Sequence, residues 1–136
     1  MVDLKKGVTG TEVVDLGFRY QHRLHTAAAF STVFAVRRVL RGKVFDLHYC
    51  SRYAGDNAEP GAARLGLVIA KKLAQRAVQR NLLKRLARET FRLARQTLPP
   101  YDLVLRLAKA PGSSLDGAAR RTWRLDIEHL LGRLPQ

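Results

Sequence analysis

The chain has 136 residues, a hydrophobic fraction of 46% and a formal charge of +14. That length holds one core without staples, and that apolar content excludes wholesale disorder. The charge opposes compaction and favours a polyanionic partner, above all nucleic acid.

In chain order, residues 1–17 mix Asp3, Lys5, Lys6, Glu12 and Asp15 with no apolar core. No signal peptide is legible there, and the segment is expected to be a flexible N-terminal extension to a single domain spanning 18–136. Cys50 is the only cysteine, so an internal disulfide is impossible and a reducing, cytoplasmic setting is expected. A membrane span needs about 18 consecutive apolar residues. No such run exists, nor an amphipathic helix with a bulky aromatic face, so no membrane partner is expected.

Residues 18–25 are basic and aromatic without a period, which predicts an extended lead-in. Thr26 suits the N-cap of a short helix from 27 to about 36. Phe30, Val33 and Phe34 line one of its faces. Spacing leaves two readings of the rings open: core residues, or the border of a cleft where nucleobases stack. Residues 37–43 are basic, with a turn at Gly42. Residues 44–51 alternate as a strand, with Phe45, Leu47 and Tyr49 facing one way and Asp46, His48 and Cys50 the other. A turn-rich loop fills 52–63. Residues 64–70 are a near-continuous apolar run, as in a covered central strand.

The central helix is predicted to start between 73 and 77 and to run to about Thr97, where Leu98-Pro99-Pro100 stops it. A third strand spans 101–107. Ser113 or Ser114 with Asp116 can cap a last helix to about Leu131, whose apolar side is Ala118, Trp123, Ile127, Leu130 and Leu131. No repeat or second domain is visible. This order of elements predicts an α+β two-layer sandwich.

The central helix carries the strongest signal. From Lys71 to Arg95 there are nine Lys/Arg against one acid, Glu89. At 100° per residue, Asn81, Lys84, Arg85, Arg88, Arg92 and Arg95 fall within an arc of about 100°. Leu82, Leu83, Leu86, Ala87, Thr90, Leu93 and Ala94 cover much of the remainder. A stripe of this kind is usually a solvated face. Solvated faces, however, interleave both signs for i,i+4 pairing, whereas here like charges stack. Arginine also dominates, and its planar fork suits phosphate oxygens. Asn81 adds a group able to hydrogen-bond phosphate, sugar or base. The Lys71-Lys72 pair is expected near the helix start, where free amides favour anions.

Catalytic constellations are missing: no Ser/His/Asp order, HExxH, Walker loop or CxxC. His22 and His25 sit three apart; His48 and His129 stand alone, so no metal site is predicted. Asp46, Asp102, Asp116, Asp126 and Glu128 show no paired spacing. No catalytic residue is expected on this chain.

Arg64-Leu-Gly-Leu-Val-Ile-Ala-Lys-Lys, followed by Arg76-Ala-Val-Gln-Arg-Asn-Leu-Leu-Lys-Arg-Leu-Ala-Arg-Glu89, resembles the signature of the bacterial ribonuclease P protein subunit. The resemblance covers residues 18 to about 131. It departs at Leu82, where the family commonly has a second arginine; on the wheel that position lies on the apolar side, outside the main stripe. The resemblance implies the element order αβββαβα. It further implies an endoribonuclease holoenzyme in which a catalytic RNA, with bound Mg2+, removes the 5′ leader of precursor tRNA. The partners implied are that RNA, with one protein per RNA, and the precursor tRNA. Lys71, Lys72, Arg76, Arg80, Asn81, Lys84, Arg85 and Arg88 would contact the catalytic RNA, and Phe30, Phe34 and His48 would line a groove for the leader. Composition alone also allows a structural RNA-binding protein of the ribosomal type, with no link to cleavage, or a DNA-binding module.

Overall fold

The computed structural model describes residues 23–51 and 63–135. The expected extension at 1–17, most of the lead-in and most of the loop after residue 51 lie outside the described residues. The elements are α1 (Ala27–Val36), β1 (Val39–Arg41), β2 (Phe45–Ser51), β3 (Arg64–Val68), α2 (Ala77–Ala94), a 3-10 turn (Arg95–Thr97), β4 (Tyr101–Leu107) and α3 (Gly117–Gly132). This is the αβββαβα order in an α+β fold. The four strands run β1-β2-β4-β3 across the sheet. β1–β2 and β2–β4 are antiparallel, while β3 and β4 are parallel and joined through α2.

Strand alternation gives the sheet two unlike faces. Phe45, Leu47, Leu65, Leu103, Leu105 and Leu107 meet Leu83, Ala87 and Phe91 of α2 and Trp123, Ile127 and Leu130 of α3 in the main core. Burying each large side chain contributes about 1.5–3 kcal/mol, so this face holds most of the hydrophobic stabilisation. On the opposite face, Leu24, Val33, Cys50 and Val104 form a smaller cluster bordered by Phe30, Phe34 and Val68.

Helix ends follow local chemistry. Thr26 caps α1 by accepting the Ala29 N–H at 3.0 Å, and Asp116 caps α3 by accepting that of Ala119 at 2.9 Å. α1 stops at Arg37, which adopts the left-handed conformation (φ 60°) while its N–H bonds the Phe34 carbonyl. α2 has no side-chain cap at Arg76. Its first turn is tied instead to the segment before α3: Gln79 donates to the Gly112 carbonyl at 2.6 Å and Arg76 to that of Ser113 at 2.9 Å.

Several expectations need correction. Residues 39–41 form a strand where the residue pattern showed only a basic stretch; three residues are too few to display a period. β3 is an edge strand, not a central one. Its apolar run reflects cover on both faces, by α2 and by Phe30, and its free edge is partly capped by the Leu24 N–H bonded to the Leu65 carbonyl at 3.1 Å. It also ends at Val68, because Ala70 turns the chain by accepting the Leu73 and Ala74 amides. Leu93 is 62% exposed rather than covered, and Ala118 is exposed. Arg95 is 6% exposed and opens the 3-10 turn that ends α2, so it does not share the outward face of the stripe.

Candidate nucleic-acid interface

α2 buries Gln79, Leu83, Ala87, Thr90 and Phe91, so the opposite side faces outward. There Asn81, Lys84, Arg85, Arg88, Glu89 and Arg92 surround one shallow concavity of about 350 Å³. Arg92 is ion-paired with Glu89, one turn earlier. That pairing offsets one charge and draws both groups' pKa values toward the ionised forms through the hydrogen bond between them. Lys84, Arg85 and Arg88 remain as a cationic triad around Asn81. Leu82 packs against the core from its edge, as its phase on the wheel requires.

The other expected RNA contacts are distributed differently. Lys71 and Lys72 are exposed in the turn closed by Ala70, several residues before the first turn of α2. Arg80 folds back: its Nη1 donates to the Ala74 carbonyl at 3.0 Å and to the Gln75 carbonyl at 2.8 Å. Arg76 spends one nitrogen on Ser113. Both arginines therefore shape the loop leading into α2, and each guanidinium has five donors in all, so the remainder can face a ligand.

The second region lies on the sheet face covered by α1. Phe34 meets His48 edge-on, with ring centroids 4.7 Å apart. Phe30 sits over Gly66 of β3, where a Cβ would come within 2.5 Å of the ring. Both rings are half-buried, so each is at once part of the smaller cluster and a wall facing solvent. The His48 ring nitrogens are buried without a hydrogen-bond partner. Burial holds this imidazole's pKa below its ordinary value; Arg106 and Arg41 act in the same direction and Asp46 opposes them. Arg41 pairs with the buried Asp46 at 3.2 Å. The signature arginine Arg64 makes a bidentate bond to Asp102, 2.8 Å on each arm, clamping β3 to β4. Sequence reasoning missed Arg106 and Arg41 as neighbours of His48, since only strand register brings them together: Asp46 stands opposite both, on β4 and β1.

A larger concavity, about 890 Å³, lies between the β1–β2 turn and α3, lined by Arg41, Lys43, Leu125, Asp126, Glu128 and His129 among others. None of the expected site residues lines it. Its buried carboxylate, Asp126, is already engaged by the backbone N–H groups of Lys43, Val44 and Phe45. Among the described residues, no group of three or more His, Cys, Asp or Glu comes together to hold a metal ion, and no helix is long and apolar enough to cross a membrane.

Comparison with known proteins places this arrangement. The family described as Ribonuclease P matches residues 18–134. The chain is 50% identical over 125 residues to the ribonuclease P protein component of Azoarcus sp. (strain BH72), covering 90% of this chain and 93% of that one. It is 47% identical over 120 residues to the same component of Aromatoleum aromaticum, covering 88% and 92%. Among solved structures, the RNase P protein from Thermotoga maritima in complex with 1-(4-fluorophenyl)-2-thiourea aligns with a TM-score of 0.69 at 26% identity, over 83% of this chain and all of that one.

Proposed function

The chain belongs to the ribonuclease P protein family, and on that footing we propose that it is the protein subunit of a ribonuclease P holoenzyme, binding the catalytic RNA and the 5′ leader of precursor tRNA. The observation that carries this is the convergence of Asn81, Lys84, Arg85 and Arg88 around one open concavity with a single acid, Glu89, which is itself taken up by Arg92.

The residues act by binding and positioning. Lys84, Arg85 and Arg88, with Lys71 and Lys72 before the helix, neutralise phosphates of the catalytic RNA and release its counterions, which favours association in a salt-dependent way. Arg76 and Arg80 hold the loop that sets the lysine pair relative to the helix and present their remaining donors to the same RNA. Single-stranded leader lies along the face under α1, where Phe30 and Phe34 offer aromatic surface for stacking and His48 backs Phe34 edge-on. The described residues provide no donor cluster for Mg2+; in this proposal the ion, which supplies the activated nucleophile and charge stabilisation, is held by the RNA.

The test is cleavage of a leader-bearing precursor tRNA by the cognate RNA with and without this protein, across magnesium concentrations. The protein alone should cleave nothing, and its addition should lower the magnesium requirement of the RNA. Identical magnesium dependence in both cases would refute the proposal.

A further inference from the structure

The concavity of about 890 Å³ between the β1–β2 turn and α3 has two cationic walls. One is the turn, where Arg41 and Lys43 are both exposed. The other is a ridge on α3: Arg121, Leu125, His129 and Arg133 follow at intervals of four and stack along one side of the helix. All four are exposed, and Leu125 and His129 line the concavity itself. Arg121 stands one turn before Leu125, and Arg133 closes the far end by donating to the Arg41 carbonyl at 3.1 Å.

Fixed contacts hold these walls in place. Gly42 lets the turn lie against α3, since a Cβ there would come within 2.6 Å of Asp126 Oδ1. Asp126 in turn accepts the N–H groups of Lys43, Val44 and Phe45. Its carboxylate is thereby engaged and buried, which leaves Glu128 as the exposed acid of α3. Arg41 gives one nitrogen to Asp46 but keeps a side chain that is 75% exposed, with donors to spare. The cations are therefore presented without rearrangement, which reduces the ordering cost of binding.

Guanidinium and ammonium groups on two walls suit phosphate oxygens, and the Leu125–His129 pair between them offers a surface for a base. That combination fits an RNA strand. α2 and α3 cover the same sheet face, and the cationic stripe of α2 lies toward β3, where Arg88 stands beside Leu65 and Gly66. The groove lies toward β1. β1 and β3 are the two edges of the sheet, three strand spacings or about 14 Å apart. No single phosphate touches both surfaces, but two segments of one large RNA reach them together. The face under α1 is on the other side of the sheet.

We infer that the groove between the β1–β2 turn and α3 is a second docking surface for the catalytic RNA, holding a segment separate from the one on the α2 stripe. The inference rests on the proposed function, which makes that RNA the partner of the stripe. Lys43, Arg121, Leu125 and His129 all lie outside the signature on which the family resemblance stands.

The experiment uses the full chain and the cognate catalytic RNA without tRNA, measuring affinity across salt concentrations and hydroxyl-radical protection of the RNA. Lys43→Gln combined with Arg121→Gln should weaken binding about 3- to 10-fold and lower the logarithmic salt slope by about two units or less. Protection should disappear from a segment different from the one lost in Lys84→Ala combined with Arg85→Ala. Thr122→Glu, which adds an acid to the groove lining and removes no cation, should uncover the same segment as the Lys43–Arg121 variant and keeps the test decisive if that variant unfolds early. Wild-type affinity, slope and protection in both groove variants, with the Lys84–Arg85 variant impaired, would overturn the inference alone. Loss of protection at the same nucleotides as in the Lys84–Arg85 variant would also overturn it, as would a loss seen only for precursor tRNA in the assembled holoenzyme. A wild type with no affinity for the cognate RNA would instead overturn the proposed function beneath it.

Discussion

Gly66 lies directly beneath the Phe30 ring: a Cβ at position 66 would stand 2.5 Å from Cζ, 2.6 Å from Cε2 and 3.3 Å from Cδ1 of Leu24. The glycine of the signature strand is therefore required by close approach, and the α1 helix rests on β3 through it. Gly66→Ala should overpack this contact at a cost of about 1–3 kcal/mol, measured by urea unfolding. Combining it with Phe30→Leu should recover much of the stability while leaving leader affinity low, because the smaller side chain gives room but no stacking surface. A fully stable Gly66→Ala protein with normal leader binding would show that Phe30 moves freely and does not define the groove.

Asp126 performs a comparable task on the other side of the sheet. Its carboxylate, 6% exposed, accepts the N–H groups of Lys43, Val44 and Phe45 at 2.8, 2.9 and 3.1 Å, fixing the β1–β2 turn to α3. Asp126→Ala strands three amide donors, and a loss of about 3–5 kcal/mol is expected. Asp126→Asn keeps one acceptor oxygen and should lose about half as much. Equilibrium denaturation of both variants checks the order; equal losses would mean that space filling, not acceptance, is what the site needs.

The contrast between these two residues shows what the sequence could and could not disclose. The strand–lysine pair–helix signature and the cationic stripe are local patterns, set by steps of two or 3.6 residues, and the fold and family followed from them. Asp126 carries no local sign of its role, because its partners lie more than 80 positions earlier. β1 is too short for periodicity, and β3 looks central because Phe30, a residue on a different element, covers it. Arg95 is buried where α2 gives way to a 3-10 turn, a tightening from about 100° to about 120° per residue that a wheel does not anticipate. Composition and period fixed the elements; long-range contacts decided which side chains share a site.

On the stripe itself, charge and core should separate cleanly. Lys84→Ala and Arg85→Ala should each weaken assembly with the catalytic RNA and flatten its salt dependence by about one unit of logarithmic slope or less. Thermal stability should stay near that of the wild type, since these side chains point away from the core. Leu83→Ala, on the buried side of the same helix, should cost about 2–5 kcal/mol in unfolding. Unchanged slopes in the first two variants would identify the stripe as a solvated face.

His48 links stability to pH with a definite sign. Burial, Arg106 and Arg41 hold its pKa below the ordinary 6.5, against a smaller opposing effect of Asp46, so the folded chain keeps the ring neutral where the unfolded chain protonates it. The associated stability is complete above pH 6.5 and is lost as pH falls through the lowered folded value. Between pH 7 and 5.5, carboxylates with ordinary pKa values remain largely ionised, so the wild-type melting temperature should decline there mainly through this residue. His48→Phe removes the titrating group together with two buried nitrogens that lack partners, whose burial is costly. That variant should melt higher than the wild type at both pH values and show a flatter decline between them. Destabilisation of the variant at pH 7 would show that the buried nitrogens are not a cost to the fold, and a retained wild-type decline would show that His48 is not the pH-sensitive group.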